Sequence, residues 1–291
     1  MNPDMNSKRI RKLRAKIITT IPKFPNDKVT KSELESKHLT DLLIDYLNWA
    51  ARLIVQRPRK VTVEDEATKD SRWHLLSVAF SSLKQSVEVG NDLTPYLSLK
   101  AQEKGYTSAA SGKDPATDRW ADKDFLLNVM GFYHLHLGRV RDGAKISDRT
   151  DEVIFAKVDR KQFTVIGVFD HSVFEPTDIV TKEMTSERER LWRIFDKYSM
   201  QGVPANSLVI PTMIMTSGHN YKIVRLAQEY TRIIKEFDPK IDDRTYLDSI
   251  YRDAGIASPK NPKFDWHLRG TDIGVFDKAT NLYVLYGRGI N

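Results

Sequence analysis

Three strand-like segments standing close together constrain the fold of this chain more than anything else in it. Gly131-Phe132-Tyr133-His134-Leu135-His136-Leu137-Gly138, Arg149-Thr150-Asp151-Glu152-Val153-Ile154-Phe155 and Phe163-Thr164-Val165-Ile166-Gly167-Val168-Phe169-Asp170-His171 are rich in β-branched and aromatic residues. They lie too close together for crossover helices, which rules against a doubly wound parallel sheet and predicts an antiparallel meander over about 131–138, 152–159 and 162–169. On a pleated strand, residues two apart share a face. His134 and His136 are therefore expected on one side, and Tyr133, Leu135 and Leu137 on the other.

The rest of the chain is mostly helical in pattern. Ile10, Leu13 and Ile17 form an apolar stripe among Lys8, Arg9, Arg11, Lys12, Arg14 and Lys16, a basic amphipathic helix suited to an anionic partner. Ser32-x-x-Glu35 has the form of a capping box ahead of a helix that buries Leu39, Leu42, Leu43, Tyr46, Leu47, Ala50, Leu53 and Ile54 and stops before Pro58. Val61-Thr62-Val63 reads as an early strand. A helix over Ser71–Val89 is closed by Gly90, and a third helix runs from Pro95 to Gly105. Residues 106–118 are expected to be a loop. Beyond the meander come a helix over Glu183–Met200, a buried strand within Ser207–Thr216, a helix over Tyr221–Phe237 stopped by Pro239, and a hairpin of Ile273–Phe276 with Leu282–Tyr286.

The expected fold class is thus α+β, in three consecutive parts. They are a basic helical N-terminal extension over 1–58, a small antiparallel sheet with packed helices over 59–182, and a C-terminal α/β regulatory or partner-binding domain over 183–291.

Composition narrows the chemistry. Lys and Arg outnumber Asp and Glu by 46 to 39, for a net charge of +7 and a pI near 9.3, which favours polyanionic partners. RNA is the expected partner, with Lys8, Arg9, Lys12, Lys16, Arg57, Arg59 and Lys60 as candidate phosphate contacts. The absence of cysteine excludes disulfides, thiolate zinc sites and a cysteine nucleophile. No segment approaches the roughly 20 apolar residues of a membrane span, so a cytoplasmic protein without a membrane partner is expected. There is no Walker A loop, dinucleotide fingerprint, nucleophile elbow or HExxH.

In a meander, His134 and His136 share a face, Arg149 lies at the mouth of the next strand and His171 just past the end of the third. Metal-free RNA cleavage needs a base for the 2′-hydroxyl, an acid for the departing 5′-oxygen and a cation for the charge on phosphorus. These residues supply all three roles. The same histidines, with Asp170, are also a candidate set for zinc, iron or manganese, and a noncatalytic nucleic-acid or protein interaction module needs the charge alone. Ser217-Gly218-His219 ahead of Lys222 and Arg225 is a weaker candidate for phosphate, and Trp266-His267-Leu268-Arg269-Gly270 for stacking on a nucleotide.

The segment from Gly131 to Gly138, the arginine-led strand after it and the valine-rich strand closing on Asp170-His171 resemble the C-terminal meander of RelE-type ribonuclease toxins and the wider barnase-like and colicin-like ribonucleases. Those toxins begin with a strand and pass through two helices before the meander, similar to Val61–Val63, Ser71–Val89 and Pro95–Lys104. The resemblance covers about 60–174. It implies a RelE-like domain and a metal-independent endoribonuclease, toxin-like or acting in phage defence, that needs no cofactor. An antitoxin or regulatory protein is then a further expected partner. His134 or His136 would be the base, His171 the acid and Arg149 the phosphate clamp, with Tyr133 in the same set. The toxins usually carry arginines where this chain has His134 and His136, and they lack the loop over 106–118.

Overall fold

A computed structural model describes residues 7–108, 120–140, 146–204, 206–209 and 213–290. In chain order the elements are α1 (Lys8–Thr20), β1 (Lys23–Phe24), α2 (Lys28–Ser36), α3 (Leu39–Ala50), β2 (Lys60–Val63), α4 (Asp65–Thr68), α5 (Trp73–Val89), α6 (Leu99–Glu103), β3 (Tyr106–Thr107), α7 (Phe125–Met130), β4 (Phe132–His136), β5 (Glu152–Val158), β6 (Gln162–Asp170), α8 (Ser186–Met200), α9 (Tyr221–Phe237), α10 (Arg244–Asp253), β7 (Phe264–Arg269), β8 (Asp272–Asp277) and β9 (Leu282–Gly287). The fold class is α+β with small sheets.

Two compact units divide the chain discontinuously. One gathers 1–51, 103–123 and 221–291; the other gathers 52–102 and 124–220. This partition cuts across the consecutive parts 1–58, 59–182 and 183–291. The apolar stripe of α1 (Ile10, Leu13, Ile17) shares a core with Ile223, Leu226 and Tyr230 of α9 and with Trp266 of β7, so the two chain ends build one core. Amphipathic periodicity reveals an apolar face but not which distant face it meets.

In the unit of 52–102 and 124–220, the expected meander is present. β4, β5 and β6 are antiparallel neighbours, and β2 adds to the free edge of β6 in parallel, giving the order β2-β6-β5-β4. One face of this sheet, with Tyr133, Leu135, Ile154, Ala156, Phe163 and Val165, packs on Leu76, Phe80, Leu83 and Val87 of α5. The other face, with Phe132, Val153, Phe155 and Phe169, packs on Leu191, Ile194 and Phe195 of α8. A bulge between Phe155 and Ala156 shifts the register, so that Ile166 and Val168, two apart in sequence, lie in different cores.

The short helix α7 starts where the Asp124 side chain accepts a hydrogen bond from Leu127 N and ends at Gly131, whose φ of 73° is open to glycine without steric cost. That left-handed turn carries the chain straight into β4 and its histidines.

In the other unit, β7, β8 and β9 form an antiparallel sheet, and β1 pairs with β3 in parallel. β3 falls at the start of the expected loop; the rest of that loop, 109–118, lies outside the described residues. Other expectations need correction. Ser32 and Glu35 sit inside α2, which Asp27 caps by accepting from Thr30 N at 2.7 Å, and α3 begins without a side-chain cap. The third helix divides into a 3-10 turn over Thr94–Tyr96 and α6. Among the described residues of 207–216 there is an isolated bridge, Ile214 to Asn220, and Leu208 is 90% exposed. Pro204 precedes that run and Pro211 interrupts it in sequence, and each lacks the N–H a ladder needs.

Candidate active site

Strand register brings the histidines together. His136 is paired with Val153, and Val153 with Phe169, so the end of β4, the start of β5 and the end of β6 lie side by side. His171 follows two residues after Phe169, in a 3-10 turn over His171–Phe174 that Asp170 caps through Ser172 N at 2.8 Å. The His136 and His171 rings stack with centroids 5.6 Å apart, and His134 lies 6.3 Å from His136. Phe174 closes the group, 4.9 Å from the His134 ring and 5.8 Å from His171.

Each imidazole has a distinct environment. His136 is 5% exposed; its ring hydrogen-bonds the backbone of Thr150, and Nδ1 has no hydrogen-bond partner among the described residues. Burial first, then the charges of Arg149, His134 and His171, push its pKa down to about 3. It is a neutral imidazole with a bare nitrogen. Burial likewise lowers His134, against the pull of Asp124, whose Oδ2 is 3.9 Å from Nδ1; Arg149, Arg52 and His171 add to the lowering. His171 Nδ1 lies 2.8 Å from the Asp151 carbonyl. A ring N–H donated there leaves Nε2 as the nitrogen that can exchange a proton with a ligand.

Arg149 is exposed and reaches both His134 and His136 through its field. Four of the five residues expected to be catalytic are thus brought together. Tyr133 is not among them: it is 5% exposed on the opposite face of β4, in the core with Leu135 and α5, as strand alternation requires. Asp124, Phe174 and the Thr150 and Asp151 backbones were not singled out by the sequence. Asp124 carries a weak signal, as the acid immediately before the apolar run of α7.

The expected phosphate contacts divide. Lys8 and Lys60 are exposed and Arg57 is half-buried. Arg9 is held by Asp238 (Nε to Oδ1, 3.0 Å) and Asp242 (2.7 Å), and Lys12 by Asp265 at 2.8 Å. Lys16 lies 2.9 Å from His267 Nδ1. Arg59 must be corrected: it is 3% exposed and turns inward to donate to the carbonyls of Asp159 (2.7 Å) in the β5–β6 turn and Val55 (2.8 Å) in the segment between α3 and β2. Trp266 is a core residue, 3% exposed, donating through Nε1 to Asp238 at 2.8 Å. His219 is buried beside Ser217 Oγ, 2.9 Å away.

The metal alternative finds little geometric support. Asp170 accepts from Ser172 and sits 3.5 Å from Arg72, and His136 and His171 present ring faces to each other. Among the described residues, no group of three or more His, Asp or Glu is placed to hold a metal ion, and no helix is long and apolar enough to cross a membrane. No family model, curated protein or solved structure matches the chain.

Proposed function

We propose that this chain is an endoribonuclease that cleaves RNA without a metal, using His136 as general base, His171 as general acid and Arg149 as the phosphate clamp. The observation that carries the reading is the convergence of three imidazoles and an exposed guanidinium at one end of one sheet. The order of one strand, helices and a three-stranded meander, with β2 beside β6, supports the RelE-like likeness over 60–174. A toxin-like or phage-defence role and an antitoxin partner follow from that likeness alone.

In this mechanism His136 takes the proton of the 2′-hydroxyl as the 2′-oxygen attacks phosphorus. The bond to the 5′-oxygen breaks, and Nε2 of His171 protonates the leaving oxygen. Products are a 2′,3′-cyclic phosphate and a 5′-hydroxyl. A base with a pKa near 3 is always deprotonated at neutral pH but weak. The phosphodiester anion corrects this: it offsets the Arg149 charge and raises His136 once substrate is bound. His134, beside Asp124, acts as a positioning residue behind His136.

The test is a cleavage assay on single-stranded RNA. His136→Ala and His171→Ala should each lower the rate by roughly 10²–10⁴ while circular dichroism stays native. Folded variants cleaving at the native rate would remove these residues from the mechanism.

A further inference from the structure

The sheet β7-β8-β9 presents a second surface whose chemistry the site above does not use. Along β7, Phe264, Trp266 and Leu268 are buried, and alternation turns Asp265, His267 and Arg269 to the other side. Register extends that face across the sheet: His267 lies opposite Gly274 and Gly274 opposite Leu285, while Asp265 lies opposite Phe276 and Phe276 opposite Tyr283. Three rings gather there, half-buried, with His267 5.6 Å from Phe276 and 6.1 Å from Tyr283. Gly274 makes the arrangement feasible. A Cβ at that position would stand 2.7 Å from Tyr283 Cζ, so the missing side chain is what lets the phenol ring lie over the middle strand.

Cations surround these rings. The Arg269 guanidinium sits 4.7 Å over the Tyr283 ring, Lys16 Nζ lies 2.9 Å from His267 Nδ1, and Lys278 is exposed on the β8–β9 turn. Asp265, on the same face, is taken up by Lys12, and Asp272 is buried and accepts from Gly289 N at 2.7 Å. The local potential is positive: after burial, Lys16, Arg269 and Lys278 lower the pKa of His267, and Lys278 lowers that of Lys16.

We propose that the outer face of this sheet binds single-stranded nucleic acid, stacking bases on Phe276, Tyr283 and His267 and holding phosphates with Lys16, Arg269 and Lys278. An acidic peptide or an anionic lipid surface would use the cations but gives the rings nothing planar to stack on. Unpaired nucleotides use both, because every base has a π-face and every linkage a charge. The proposal rests on the ribonuclease reading for the identity of the natural strand as RNA; binding itself needs no cleavage.

Fluorescence anisotropy of the full chain with labelled 12-nucleotide oligouridylate and oligodeoxythymidylate tests it. The deoxy strand has no 2′-hydroxyl, so its binding is independent of the cleavage chemistry. Both strands should bind, and a duplex of equal length at least tenfold more weakly. Arg269→Ala with Lys278→Ala, both exposed, should weaken binding about tenfold and flatten the slope of log affinity against log salt by about 1.4, at roughly 0.7 per phosphate contact on a single strand. Tyr283→Leu should cost at least fivefold. Unchanged affinity in the double variant, equal affinity for duplex, or displacement of the oligonucleotide by an acidic peptide or anionic vesicles at equal charge would overturn the proposal. Tight deoxy-strand binding at this face in a chain that fails to cleave RNA would leave it standing and defeat the ribonuclease reading alone.

Discussion

His136 should make the stability of this protein fall in mild acid, and by a calculable amount. The imidazole has an ordinary pKa near 6.5 in the unfolded chain and about 3 in the folded one. Because the folded value is depressed, the contribution is fully present above pH 6.5 and is lost as pH falls from 6.5 towards 3, where the unfolded chain binds a proton that the folded one refuses. At pH 5 the loss is about 1.5 pH units times 1.36 kcal/mol, or roughly 2 kcal/mol. His134, lowered by its own burial, adds to the loss as pH falls below 6.5. Urea unfolding of the native chain and of His136→Gln, each at pH 7 and pH 5, isolates the effect. The native chain should lose about 2 kcal/mol more than the variant between the two pH values. Equal losses would show that His136 is not held neutral by burial beside Arg149, and would remove the basis for its role as a base.

Arg149→Ala should leave stability within about 0.5 kcal/mol, since the side chain is exposed, yet lower RNA cleavage by roughly 10²–10³; its loss should also raise the His134 and His136 pKa values in an NMR titration, and unmoved values would separate it from the site. Arg9→Leu should act in the opposite way. It leaves Asp238, 5% exposed at its side chain, without its cation partner, and should cost about 3 kcal/mol in urea unfolding; a loss below 0.5 kcal/mol would show that the pair is solvated and Arg9 free for other work.

The site was more legible in the sequence than the architecture around it. Period-two alternation alone puts His134 and His136 on one face, and antiparallel register carries His171 to the same end, so the cluster follows from strand geometry. The same alternation runs through Phe264–Arg269, but a strand with two polar residues and a cation on its outer face resembles a local binding cluster, and β7 was missed. α10 was missed as well: its buried face comes down to Leu247 and Tyr251, too few for a periodic signal. Ser32-x-x-Glu35 misled because the capping pattern does not mark where a helix starts when Asp27 has already started one. Which stripes pair across the chain is long-range information. Nothing local in Ile10, Leu13 and Ile17 indicates that Tyr230 and Trp266 complete their core.

The central claim is that His136, His171 and Arg149 form one metal-independent ribonuclease site. Its most direct test is the chemistry of the ends produced when the full chain acts on single-stranded RNA in excess EDTA. The account predicts 2′,3′-cyclic phosphate and 5′-hydroxyl ends, formed at an undiminished rate in chelator and lost when a 2′-deoxynucleotide replaces the residue 5′ of the cleaved bond. Ends bearing a 3′-hydroxyl and 5′-phosphate, or cleavage that appears only when zinc or manganese is restored, would contradict it.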